Sequence, residues 1–172
     1  MDSPPCDQIR IRPLQPADAR FCWTTRRRAF DELFRPELPV EIWSMGRAAL
    51  QTEDFTAIAR SGAVFIVEDA RNRLGFFALT RPAPRQVELY LIYLVPEQSG
   101  RGIGRACLTF MEEWIRRHWP EAETLFLYTI VPGVNGGFYR RLGFTGQPVV
   151  MDYHGRPVPA VRFEKPLGRS AD

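Results

Sequence analysis

The sequence predicts one α/β (α+β) domain, a mixed sheet of six to seven strands, mostly antiparallel with one central parallel pair, flanked by about four helices. Three observations carry that expectation. Residues 87–95 and 124–131 are apolar at nearly every position, the pattern of strands buried on both faces. A segment with helical spacing, 103–118, lies between them, so the two strands should run parallel through a right-handed crossover. The other strand-like segments come in pairs joined by tight turns, which makes them antiparallel hairpins.

Taken in order, residues 9–13 (Ile-Arg-Ile-Arg-Pro) alternate like a short edge strand stopped by proline. Pro16-Ala17-Asp18 opens a helix with Phe21, Cys22, Ala29, Phe30 and Leu33 on its inward face. Pro39 suits a first helical turn and begins a second helical stretch, which runs through Trp43 and Leu50 to Phe55 and Ile58 and ends at Gly62. Residues 63–68 and 74–80 form a hairpin around Asp69-Ala70-Arg71-Asn72-Arg73. Residues 87–95 are the central strand, and Glu88 is its one ionisable position apart from tyrosines. The helix that follows carries Ile103, Ala106, Cys107, Phe110, Met111 and Trp114 at helical spacing, and Pro120 stops it. After the strand at 124–131, a short helix around 138–142 ends at Gly143, a C-cap residue. Strands near 147–152 and 160–165 complete the sheet.

The length of 172 residues and the 45% hydrophobic content suit a single core, with the domain at 9–167 between short tails at 1–8 and 168–172. This composition excludes a disordered chain, a collagen-like fibre and a small disulfide-stapled module. No stretch approaches the roughly 18–20 uninterrupted apolar residues of a membrane span, and the first residues have neither a basic start nor an apolar segment. A soluble, cytoplasmic protein is expected. Cys6, Cys22 and Cys107 are widely spaced and only His118 and His154 accompany them, so neither structural disulfides nor a metal site is expected. The net charge of +3 is small for a dedicated nucleic-acid binder, although Lys165 is the single lysine among 23 basic residues. Seven arginines fall between Arg10 and Arg35 against Asp18, Asp31 and Glu32. They form either a basic patch or a solvated helix face, because consecutive Arg26, Arg27 and Arg28 fan around a helix.

The chemistry lies in the segment Gln98-Ser99-Gly100-Arg101-Gly102-Ile103-Gly104-Arg105, between a buried strand and a helix. Glycines there let backbone N–H groups turn outward, and the helix N-terminus adds about half a positive charge, so the loop suits a phosphate. A Walker loop would need Gly-Lys-Ser/Thr, and the loop has no lysine. A dinucleotide fingerprint would need a third glycine where Arg105 or Cys107 stands.

What remains resembles the GNAT acyltransferases, whose signature is Q/R-x-x-G-x-G/A on a strand, loop and helix. The resemblance covers most of the chain. It includes the early Ile-Arg start with its later Asp, the Val95-Pro96 strand end, the glycine loop, and Phe138-Tyr139-Arg140-Arg141-Leu142-Gly143-Phe144, similar to the family's F-Y-x-x-L-G-F. Two departures are visible. Ser99 replaces the usual Gln or Arg, for which Arg101 and Arg105 are candidates to compensate. Asn135 precedes Tyr139 by four residues instead of the family's seven, so it is either a cofactor contact or the cap of a shortened helix.

The resemblance implies acetyl-CoA as cosubstrate, no metal, and transfer of the acetyl group to a primary amine of a small molecule or peptide in a ternary complex. It implies that the central parallel pair splays, leaving backbone groups from Ile92 through Leu94 to Val95 to pair with the pantetheine arm. The pyrophosphate would lie over Ser99, Gly100, Arg101, Gly102, Ile103, Gly104 and Arg105. Glu88 lies fourteen residues before Gly102, the spacing of the strand glutamate in histone-type members, and is the candidate general base; the alternative is a solvent-facing strand end. Tyr139 is the implied general acid, its phenol matched near pKa 10 to an alkyl thiolate, or else an aromatic packed on the sheet. Cys107 reads as a packing residue and His118 as a helix-end cation. Phe30, Phe34 and Trp43 belong to the acceptor pocket or to the core. Two other functions stay open: a toxin-type acetyltransferase of aminoacyl-tRNA using the arginine cluster, and a non-catalytic acyl-CoA-binding domain. No membrane partner is expected, and homodimer formation is left open.

Overall fold

The computed structural model describes residues 9–36, 38–50, 54–98, 100–130 and 136–168, side chains of residues 33 and 34 excepted. One seven-stranded sheet, in the order β1-β2-β3-β4-β5-β7-β6, organises the chain. Its strands are β1 (Arg10–Pro13), β2 (Ala63–Glu68), β3 (Arg73–Ala83), β4 (Gln86–Leu94), β5 (Thr124–Ile130), β6 (Thr145–Tyr153) and β7 (Arg156–Pro166). Among the described residues only β4 and β5 pair in parallel, as their separation by a helix predicted.

Five α-helices are described: α1 (Ala19–Ala29), α2 (Val40–Ala49), α3 (Phe55–Ser61), α4 (Ile103–His118) and α5 (Gly136–Arg141). The single helical stretch expected from Pro39 to Gly62 is two helices. Asp54 starts the second, its carboxylate accepting from the Thr56 and Ala57 N–H groups at 2.9 and 3.2 Å, an N-cap inside an otherwise continuous apolar pattern. The last hairpin is longer than the strands expected near 147–152 and 160–165: β6 is an edge strand of largely exposed residues, and β7 begins already at Arg156.

Two cores flank the sheet. One packs α4 through Ile103, Cys107, Met111 and Ile115 against Leu79, Val87, Leu89, Leu125 and Phe163. The other packs Cys22 of α1 and Phe55 of α3 against Ile66, Phe76, Ala78 and Leu91. Strand β4 thus contributes to both, and its register explains how. Leu79 pairs with Leu89 and the adjacent Ala78 with Leu91, so Tyr90 is an extra residue, a β-bulge. The bulge reverses the alternation: Val87 and Leu89 face α4, whereas Leu91 faces α1. Cys22 and Cys107 are fully buried, which agrees with a packing role for Cys107. No described helix is long and apolar enough to cross a membrane.

Candidate active site

The parallel pairing of β4 and β5 covers only Gln86 with Thr124, Val87 with Leu125, and Glu88 with Phe126. Beyond Glu88 the strands part. β4 continues against β3 to Leu94, and β5 against β7 to Ile130. The gap opens a cavity of about 380 Å³ lined by residues 88–93, 127–130 and Tyr139, with Arg26, Phe30, Leu38 and Ala49 above and residues 151–154 at one side. All five tyrosines of the chain, Tyr90, Tyr93, Tyr128, Tyr139 and Tyr153, line it. Tyr139 belongs to the core on the α4 face and Tyr93 packs on the α1 face, so the opening passes through the sheet.

Backbone groups along the gap follow from strand alternation. Val95 N–H donates to Leu74 O at 2.9 Å, and its carbonyl accepts from Gln98 N–H at 2.9 Å. Val95, expected to offer unpaired groups, is therefore paired within the chain, because the turn at the strand end folds back onto it. Alternation directs the peptide groups of Leu94 and Ile92 the other way, towards the gap.

Glu88 points to the α1 face, opposite to Val87 and Leu89. Thr80, its cross-strand partner, donates Oγ1–H to the carboxylate at 3.4 Å. Burial raises the Glu88 pKa above the ordinary glutamate value, partly offset by the Thr80 hydrogen bond and the positive charge of Arg162. Arg162 lies 3.8 Å over the Phe126 ring, the residue paired with Glu88 on β5, and donates to Tyr128 Oη at 2.9 Å. Glu88 is thus a cavity-lining carboxylate and no solvent-facing strand end.

Tyr139 is 5% exposed and packs against Phe138, Phe144 and Phe163, yet its side chain reaches the cavity. Tyr139 is thus a core aromatic that also lines the cavity. Burial, reinforced by Tyr93, pushes the phenol well above its usual pKa near 10, so the simple match to a thiolate does not hold, and the group stays protonated through the physiological range.

At the strand end, Gly100 and Gly102 adopt φ of +79° and +76°, and a Cβ at either would point into open space. Gly102 caps α4. The first bond of the helix is Ala106 N–H to Gly102 O, so the N–H groups of Ile103, Gly104 and Arg105 are left for an outside acceptor. Glycine at 104 also admits the Phe138 ring, 3.0 Å from where its Cβ would be. Arg101 donates to Gln98 Oε1. Arg105 is exposed and makes no ion pair with a described residue. An open, cationic helix N-terminus of this shape fits a phosphate. Ser99 and Asn135 lie outside the described residues.

The profile of the acetyltransferase (GNAT) domain family matches residues 60–146, half of the chain, from the end of α3 to the start of β6. The chain belongs to the GNAT acetyltransferases. Solved structures with the same fold include a GCN5-related N-acetyltransferase from Rhodopseudomonas palustris, 17% identical with a TM-score of 0.73 over 93% of this chain and 96% of that one. A PaiA N-acetyltransferase from Thermoplasma acidophilum in complex with coenzyme A is 22% identical, with a TM-score of 0.71 over 92% and 98%. A spermidine N-acetyltransferase from Vibrio cholerae in complex with CoA and spermine is 21% identical, with a TM-score of 0.66 over 95% and 98%. No curated protein sequence matches the chain.

In this GNAT domain, several site residues carry no sequence signal of their own. Arg26, Tyr90, Tyr93, Tyr128, Tyr153, Thr80 and Arg162 reach the cavity or Glu88 only through tertiary placement. The hint available was that three of the five tyrosines, Tyr90, Tyr93 and Tyr128, interrupt the two apolar strands. Gly46 was also missed: a Cβ there would lie 2.2 Å from Tyr153 Oη and 2.4 Å from Phe30, so α2 and the last hairpin meet over the cavity only because this residue is glycine.

Proposed function

We propose that the protein is an acetyl-CoA-dependent N-acetyltransferase that acts on a primary amine of a small molecule or peptide by direct attack in a ternary complex. One observation carries this reading: a gap between parallel strands that joins Glu88 and Tyr139 in a single cavity, next to a glycine loop and helix N-terminus suited to a phosphate. The 103–105 N–H groups, with Arg101 and Arg105, would hold the pyrophosphate, and the inward peptide groups of Ile92 and Leu94 would orient the pantetheine arm. Acetyl-CoA supplies the thioester, whose C–S bond breaks as the C–N bond to the amine forms.

Glu88 accepts the proton that the ammonium must lose before its nitrogen can attack. Its pKa, raised by burial, makes it a better base than a solvated carboxylate. The Tyr139 hydroxyl, kept protonated by burial, holds the proton that the leaving sulfur takes up. The aminoacyl-tRNA alternative finds less support: Arg27 and Arg28 form ion pairs with Asp31, Glu32 and Glu97 and do not present an open cationic face.

The test incubates the protein with acetyl-CoA and amine, peptide and aminoacyl-tRNA acceptors and follows free thiol. Thiol release that depends on an amine acceptor supports the reading. Coenzyme A binding without turnover of any acceptor would instead identify a binding domain.

A further inference from the structure

Beyond the last parallel pair, Glu88 with Phe126, the first side chain of β5 on the Glu88 face of the sheet is that of Tyr128, because alternate residues of a strand share a face. It is half-buried and lines the cavity. On β7, Arg162 is paired directly with Tyr128 and Glu164 with Phe126, so the four side chains form one cross-strand block. The Arg162 guanidinium lies 3.8 Å from the centre of the Phe126 ring, donates through Nε to Glu164, and donates from Nη1 to Tyr128 Oη at 2.9 Å. A planar fork stacked on a ring and tied at two edges has little freedom, and it fixes the phenol oxygen that it holds.

That bond determines what the phenol can do. Its oxygen accepts from Arg162, and no described residue accepts its hydrogen. The O–H is left to donate into the cavity that Tyr128 lines. Hydrogen bonds in a chain polarise one another, so a guanidinium behind the oxygen strengthens the donor in front of it. The same positive charge opposes a cation at that point and favours an atom that gains negative charge. Acyl transfer from a thioester creates two such atoms, the carbonyl oxygen and the leaving sulfur. Tyr139, assigned above to the sulfur, belongs to the core on the α4 face. Tyr128 meets the gap on the other face, one step along β5 from the residue paired with Glu88.

We propose that Tyr128 is a further catalytic residue, whose hydroxyl donates to the acetyl carbonyl oxygen as that oxygen gains charge, and that Arg162 is the positioning residue that aims it. The proposal rests on the acetyltransferase reading above and adds a side-chain donor to the same site. No bond to hydrogen breaks at Tyr128. Its hydrogen bond tightens while the carbonyl electrons move onto oxygen, and relaxes when they return and the C–S bond breaks.

The experiment reads the infrared band of the thioester carbonyl in acetyl-CoA, isotope-labelled at the carbonyl carbon and bound to the protein without an acceptor. A donor on a carbonyl oxygen lowers its stretching frequency. Tyr128→Phe should therefore move the band to higher frequency than in the wild type. Arg162→Met, whose unbranched side chain still covers Phe126, should move it the same way, and the double variant no further than Tyr128→Phe alone. Turnover in Tyr128→Phe should fall roughly 10²-fold through kcat, with KM for acetyl-CoA little changed. Coenzyme A binding, followed by calorimetry, should stay as in the wild type, since free coenzyme A carries no acetyl group. If Arg162→Met loses that binding and so does not fold, Arg162→Lys replaces it and should give a smaller shift in the same direction.

A band at the wild-type position in Tyr128→Phe overturns the proposal and leaves the acetyltransferase reading standing. A band moved by Tyr128→Phe and indifferent to the Arg162 variants overturns the positioning role. If no acceptor is turned over, the catalytic reading falls with the proposed catalytic role of Tyr128. Absence of coenzyme A binding by the wild type removes the reading of the cofactor loop as well.

Discussion

From Gln86 to Glu88, β4 is hydrogen-bonded to neighbours on both sides; from Leu91 to Leu94 it is paired with β3 alone. The environments of the two halves are opposite. Val87 and Leu89 are buried under α4 at 0% and 4% exposure, whereas Tyr90 is 46% exposed and Ile92 to Leu94 are half-buried. The bulge at Tyr90 separates them. The first half is a core strand that anchors Glu88, and the second is a wall whose edge away from β3 has no strand partner and borders the cavity. One strand thus joins rigid support to an open edge without a loop between them, an arrangement that keeps a site geometrically defined.

The largest effect should come from cutting the anchored half. Leu89→Ala is expected to cost about 2–5 kcal/mol of stability, as a cavity in a packed core does, and Ile92→Ala in the open half about 1 kcal/mol. Urea denaturation checks both, and equal losses would mean that the halves do not differ mechanically.

Tyr139→Phe keeps the ring packing against Phe144 and Phe163 and removes only the hydroxyl. Turnover should fall by roughly 10²-fold with little change in the apparent affinity for acetyl-CoA. Wild-type turnover in this variant would assign Tyr139 to the core alone.

Gly102→Val tests the far end of the open half. Its Cβ would enter empty space above the α4 N-terminus from a φ of +76°, so the variant is strained but not sterically blocked. Coenzyme A affinity measured by calorimetry should drop at least tenfold, about 1.4 kcal/mol. Unchanged affinity in the folded variant would remove the loop from the binding site.

Glu88→Gln gives the smallest effect on the fold and the most informative pH dependence. The folded-state pKa of Glu88 is raised, so the fold prefers the protonated form, and ionisation opposes folding as pH rises from the unfolded value, near 4.3, through the folded one. The Gln variant should therefore melt slightly higher than the wild type at pH 7, and the difference should close as pH falls below about 4. Its activity should be low at neutral pH and recover partly above pH 9, where free amine forms unaided. Identical pH–rate profiles would make Glu88 structural.

Much of this site lies in local sequence. The glycines of the loop declare themselves because positive φ is accessible to few other residues, and the conformation of Gly100 and Gly102 follows from that identity. The paired apolar runs flanking a helix lead to the one parallel contact in the sheet, and Glu88 stands out as a carboxylate among hydrophobic residues. Asp54 shows how a local signal can be overlooked, since a single cap divides what periodicity joins.

Other features have no local signature. A bulge is a mismatch of register between two strands, so Tyr90 becomes an extra residue only when β3 lies beside β4. The pairing of Val95 with Leu74 and Gln98 depends on how the strand end folds back. Arg26, Arg27 and Arg28 are identical in sequence and differ only in which side of α1 meets the sheet. Periodicity determined the order of strands and helices, glycine spacing the end of the sheet where a phosphate fits, and the glycine loop with Phe138 to Phe144 carried the resemblance to the family, because these features are written along the chain. The gathering of five tyrosines, one arginine and one half-buried carboxylate around a gap was decided by tertiary structure, because it depends on distances between residues that sequence separation does not encode.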